Sequence, residues 1–172
     1  MTENSDAADP RWLSDTELMA WIPFSGMLIG LLSALDTQLR NAKLSLFGYL
    51  VLAALSEAPE RTLSMSDLAV RAGGSLSRLS HAVSALERQG WVTRCPASAN
   101  RRITLATLTE GGYAKLVASA PAHVDTVRRL VIDRLTKQQL SELGRVSETV
   151  LTELNAISER PPPQDRTRMK TR

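Results

Sequence analysis

Arginines and hydroxyls cluster in the middle of the chain. Between Ser75 and Arg102, Arg78, Arg88, Arg94, Arg101 and Arg102 stand with Glu87 as the only acid, and Ser75, Ser77, Ser80 and His81 lie among them. Guanidinium groups fork onto phosphate oxygens, and short hydroxyl, amide and imidazole side chains hydrogen-bond phosphates and base edges. A lone arginine is ordinarily a solvated face, so the elements that carry this set decide what it means.

Ser75 can cap a helix, LSRLSHAVSALERQG, whose Leu79, Val83 and Leu86 form one apolar stripe and whose stop is Gly90. Leu76, Ser77, Arg78, Ser80, His81 and Ser84 then fall on the other faces. A shorter helix, MSDLAVRAG, precedes it, opened by Ser64 with Asp67 and closed by Gly73 and Gly74. Two short helices joined by a glycine turn, the second polar and basic on its free side, have the form of a helix-turn-helix. WVTRC and RRITLATLT follow as two strands joined by PASAN, a hairpin wing that sets Arg94, Arg101 and Arg102 near its base and tip.

Helices flank this unit. Ser14 and Glu17 form a capping box for a helix to about Leu39, in which Pro23 predicts a kink near Met19 to Trp21, and Gly26 and Gly30 admit a close neighbour. Ser45 opens an almost wholly apolar helix, LFGYLVLAALSEA. Thr109 opens a long helix expected to be interrupted at Pro121, and Thr136 with Gln139 caps a last one. The boundaries are a disordered N-terminus 1–13, a dimerisation helix 14–44, a winged unit 45–112, dimerisation helices 113–159 and a disordered basic tail 160–172. The fold class is mainly α with a small β-hairpin: a winged helix-turn-helix plus N- and C-terminal dimerisation helices.

The stretch SLSRLSHAVSALERQGWVTRCPASANRRITLATLTEGG resembles the MarR family of bacterial winged helix-turn-helix regulators. Its members share a recognition helix ending Leu-Glu-x-x-Gly and a wing followed by Leu-Thr, matched here by Leu86, Glu87, Gly90, Leu108 and Thr109. The family's wing Asp-x-Arg is matched by Asn100 and Arg102, an amide replacing the carboxylate. Leu76 stands where many members carry a polar or basic residue.

The resemblance implies a homodimeric, sequence-specific DNA-binding transcriptional regulator, a repressor released by a small aromatic or phenolic effector. Double-stranded DNA carrying an inverted repeat is the expected partner. Ser75, Ser77, Arg78, Ser80, His81, Arg94, Asn100, Arg101 and Arg102 are its candidate DNA-binding residues. Trp12, Trp21, Phe24, Phe47 and Tyr49 are candidates for the effector pocket, against the plainer reading that they are core. Cys95, beside Arg94, is a candidate redox sensor, since a cationic neighbour lowers a thiol's pKa; the plainer reading is a buried structural cysteine.

Other functions find little support. The two histidines, His81 and His123, sit in no motif, and there is no metal-ligand spacing, Gly-rich phosphate loop or nucleophile elbow, so catalysis, a metal and a cofactor are not expected. One cysteine and no basic-then-apolar leader favour the cytoplasm. The uncharged run Leu18 to Leu35 reaches membrane-spanning length, but Pro23, Gly26 and Gly30 within it and Glu17 and Asp36 beside it favour an interface helix. A winged-helix protein-interaction module and a membrane-associated helical protein remain the alternatives.

Overall fold

The structure is a computed structural model and describes residues 10–159, with side chains to residue 157. The expectations for residues 1–9 and for the basic tail 160–172 lie outside the described residues. The chain divides into two compact units, one ending at Val127 and the other beginning at Arg128.

In the first unit, α1 (Asp15–Arg40) starts at the predicted capping box: Ser14 accepts from the Glu17 N–H, and Glu17 accepts from the Ser14 N–H at 2.8 Å. α1 runs unbroken through Pro23. Its C-terminal end is tied inward, because Asp36 Oδ1 accepts from the Leu46 N–H at 2.9 Å at the start of α2 (Leu46–Ser56). That hydrogen bond is the main reason the Asp36 carboxyl lies below the usual carboxylate range.

Ala58 leads through a short 3₁₀ turn into β1 (Thr62–Ser64), a strand not anticipated from the sequence. Ser64 ends the strand and caps α3 (Met65–Arg71), its hydroxyl accepting from the Asp67 N–H at 3.1 Å. α4 (Leu76–Arg88) follows, then β2 (Val92–Pro96), β3 (Thr104–Leu108) and α5 (Glu110–Leu130). The expected hairpin is present, and β1 extends it to three antiparallel strands in the order β1-β3-β2, with Thr62 opposite Thr107 and Val92 opposite Leu108.

One core binds these elements. Leu39 of α1, Val51, Leu52 and Leu55 of α2, Leu68 of α3, Leu79 and Val83 of α4 and Val92 of β2 are fully enclosed, each stabilising by about 1.5–3 kcal/mol. The interruption expected at Pro121 does not occur. α5 continues through it; Pro121 and Val117, whose carbonyl loses its helical donor, are both exposed, so water can take the missing donor's place.

The second unit holds a 3₁₀ turn at Ile132–Arg134 and α6 (Lys137–Glu159). Its predicted box is present: Gln139 N–H donates to Thr136 Oγ1 at 3.2 Å and Thr136 N–H to Gln139 Oε1 at 2.9 Å. Val146, Val150, Leu151 and Ile157 of α6 are exposed.

Candidate nucleic-acid interface

α4 is set by its apolar stripe. Leu79, Val83 and Leu86 are buried, while Leu76, Ser77, Arg78, Ser80 and His81 are exposed. Ser75 caps the helix, its Oγ accepting from the Arg78 N–H at 3.2 Å. Gly73 and Gly90, with φ of 68° and 71°, end α3 and α4 in the left-handed conformation that glycine adopts without strain.

The wing is fastened to α4 by charge. Arg94 on β2 donates from Nε and Nη2 to Glu87 Oε2, at 3.1 and 2.6 Å, and this hydrogen bonding holds the Glu87 carboxyl below its ordinary range. Beyond the Gly90 turn, Thr109 Oγ1 donates to the Gly90 carbonyl at 2.7 Å and accepts from the Gly112 N–H at 3.0 Å. Gly112 passes so close to the Trp91 carbonyl that a Cβ there would collide with it. Glu87, Gly90 and Thr109, read first as a sequence signature, thus form a frame that aims the hairpin relative to the helix.

At the wing tip, the Ile103 N–H donates to the Asn100 carbonyl and Asn100 Oδ1 accepts from the Arg102 N–H at 3.1 Å. The turn therefore spans residues 97–103, longer than PASAN, and carries Arg101 and Arg102 off the strand. Asn100 spends its side-chain oxygen on backbone, ordering the turn. Arg101 and Arg102 are exposed, and among the described residues no carboxylate pairs with either. Between α4 and the wing lies a cleft of about 340 Å³ bordered by Met65, Leu76, Ser80, Arg94, Arg102 and Ile103. Two guanidiniums and a hydroxyl beside an apolar wall suit a sugar–phosphate strand with base edges next to it.

A profile of the MarR family matches residues 49–103. Sco3205, a MarR family transcriptional regulator from Streptomyces coelicolor solved in complex with DNA, is 39% identical, with a TM-score of 0.81 over 90% of this chain and 97% of that one. The chain belongs to the MarR family. AbsC, a MarR family transcriptional regulator from the same organism, is 35% identical with a TM-score of 0.81, covering 86% of this MarR chain and 99% of its own. CouR from Rhodococcus jostii RHA1, solved with p-coumaroyl-CoA, shares the fold at 21% identity and a TM-score of 0.66, over 83% of this chain and 96% of its own. No curated protein matches. These structural matches are transcription regulators, and DNA binding in the service of transcription is the function they support for this MarR protein.

The remaining candidates of this MarR chain are scattered. Trp12 is exposed, and Trp21 and Phe24 pair with ring centroids 6.1 Å apart. Phe47 is buried beneath the Arg78 guanidinium, 4.3 Å from its ring centroid. That stacking, unforeseen in the sequence, ties the recognition helix to α2. Tyr49 is buried against His123, with centroids 4.4 Å apart. Cys95 is exposed rather than a buried structural thiol, because β2 turns it away from the side on which Val92 meets the core.

Reasoning from sequence alone also missed Glu87 as the wing's anchor and Arg61, which bonds Glu110 at 2.8 Å and lies 4.1 Å from the Tyr113 ring centroid. The opposite charges of Glu87 and Arg94 were the one available signal for the first pair.

Proposed function

We propose that this MarR protein is a homodimeric, cytoplasmic repressor that binds an inverted-repeat operator. The exposed face of α4, from Ser75 to His81, enters the major groove, and Arg101 and Arg102 meet the backbone or minor groove from the wing. The observation that carries this reading is the pair of wing arginines, without a carboxylate partner among the described residues, next to a polar helix face whose other side is anchored in the core. Arg94 shares its charge with Glu87 and contributes mainly by holding the wing in place.

Dimerisation is supported by the apolar residues that α1 and α6 leave in solvent, Ile29 at 73% exposure among them. α1 is long and apolar enough to cross a membrane. The hydrogen bond from Leu46 to Asp36 at its inner end, and the burial of Leu39 in the core, favour a subunit interface instead. Two reading helices related by a two-fold axis call for half-sites about one helical turn apart. Occupancy of a promoter needs no activating surface, which favours repression.

Release by a small aromatic or phenolic ligand is supported by Tyr49 and His123, together with two buried polar atoms, Gln38 Oε1 and His123 Nδ1, that have no partner among the described residues. Burial lowers the His123 pKa, which favours the neutral imidazole. CouR, of the same fold, holds an aromatic acyl-CoA.

The deciding experiment selects bound fragments from random duplexes and titrates the winner with salt. An inverted repeat whose affinity falls steeply with salt is the expected result. Failure to enrich any duplex overturns the reading and favours a protein-interaction module; a panel of phenols and aromatic acids that leaves affinity unchanged removes the effector.

A further inference from the structure

Leu76 is the residue of the reading surface that phosphate and polar base contacts leave without a task. It occupies the first helical position after the Ser75 cap and is 54% exposed. The buried stripe of α4, Leu79, Val83 and Leu86, is complete without it. Ser80, one turn on, shares its flank, and both border the cleft between α4 and the wing.

That cleft has two kinds of wall. Ser80 and Arg102 supply hydrogen-bond donors, with Arg94 beside them held by Glu87, while Leu76, Met65 and Ile103 supply apolar surface. If the donors hold a phosphate strand, the apolar wall faces the edge of the adjacent base pairs. In the major groove of B-DNA, the apolar group that a base pair presents is the thymine C5 methyl.

We infer that Leu76 is a specificity-determining residue that packs against a thymine methyl, so that each operator half-site carries an A·T pair with its thymine under the first turn of α4. The inference rests on the DNA-binding reading above and adds a base identity to it. A leucine at this place lacks a hydrogen-bonding group, so it selects by contact area: a cytosine there offers no methyl, and a purine edge sets an unpaired acceptor against the leucine.

The test uses the full chain and a duplex obtained by selection, with each thymine of a half-site replaced in turn by uracil, which removes only the methyl. Wild-type affinity falls about fourfold at one thymine per half-site, the loss that corresponds to one buried methyl group. Leu76→Ala, exposed and therefore expected to melt like wild type, binds the parent duplex more weakly and is indifferent to that uracil. Wild type insensitive to uracil at every position overturns the inference, as does a Leu76→Ala variant that keeps the same uracil penalty. So does a variant that weakens on all duplexes alike, which points to a sugar contact; each of these outcomes leaves DNA binding itself standing. A protein that enriches no duplex fails before any uracil is introduced and takes both readings with it.

Discussion

Leu52, Leu68, Leu79 and Val83 of the winged unit are fully enclosed, whereas Ile22, Ile29 and Leu32 of α1 keep more than half their surface in solvent. The two regions have similar apolar content and opposite fates. In the winged unit, short helices and three strands fold back on one another, so each apolar stripe finds a partner within the chain. α1 is a helix of 26 residues in which Leu39 alone is fully buried; Phe24, Leu31 and Leu35 are half-buried, and Met19, Ile22, Ile29 and Leu32 stay exposed. The difference separates a part that holds a reading surface still from a part that, on the proposed reading, a second copy completes.

This contrast can be broken in a definite order. Ile29→Asp puts a charge on the uncovered face; in a symmetric dimer both copies lose an apolar contact worth about 1.5–3 kcal/mol. Sedimentation should show dissociation into folded subunits. A dimer of unchanged affinity would place the interface elsewhere. Next in size is Leu79→Ala, which opens a cavity under the reading helix and should lower unfolding stability by about 2–5 kcal/mol in denaturant titrations; a loss below 1 kcal/mol would mean that the winged core is less dense than its burial indicates.

Arg102→Ala should weaken operator binding by about 1–3 kcal/mol and leave both the melting temperature and the dimer intact. Equal affinity of variant and wild type in a gel-shift titration would move the reading surface off the wing. The smallest effect is that of Glu87. Its folded pKa is depressed, first by the hydrogen bond from Arg94, so its contribution to stability is complete above the unfolded-state value of about 4.3 and disappears as pH falls through the folded value. Glu87→Gln should therefore melt lower than wild type at neutral pH, with the gap closing in acid. A constant gap from neutral to acid pH would show that the wing is held without this charge.

Much of the reading unit was legible because its signals are local. Ser14, Ser45, Ser64, Ser75 and Thr136 each accept a hydrogen bond from an N–H three residues on, and a cap of that reach needs no knowledge of the rest of the chain. What escaped was non-local. β1 exists only because Thr62 to Ser64 pair with Leu105 to Thr107, and the Thr62 and Thr107 hydroxyls that meet across this pair are 45 residues apart in the chain. Continuity through Pro121 likewise depended on which way that side of α5 faces, a matter settled by packing.

From the residues alone came the order of helices, the hairpin, the basic set from Arg78 to Arg102 and the family likeness, since helical spacing, capping hydroxyls and turn residues act within a few positions of themselves. Tertiary structure decided which charges are free. Arg94 is claimed by Glu87 and Arg78 lies over Phe47, while Arg101 and Arg102 meet no carboxylate among the described residues. An arginine's charge is written in its residue type, but the acid or ring that engages it arrives from another element, and only folding brings the two within reach.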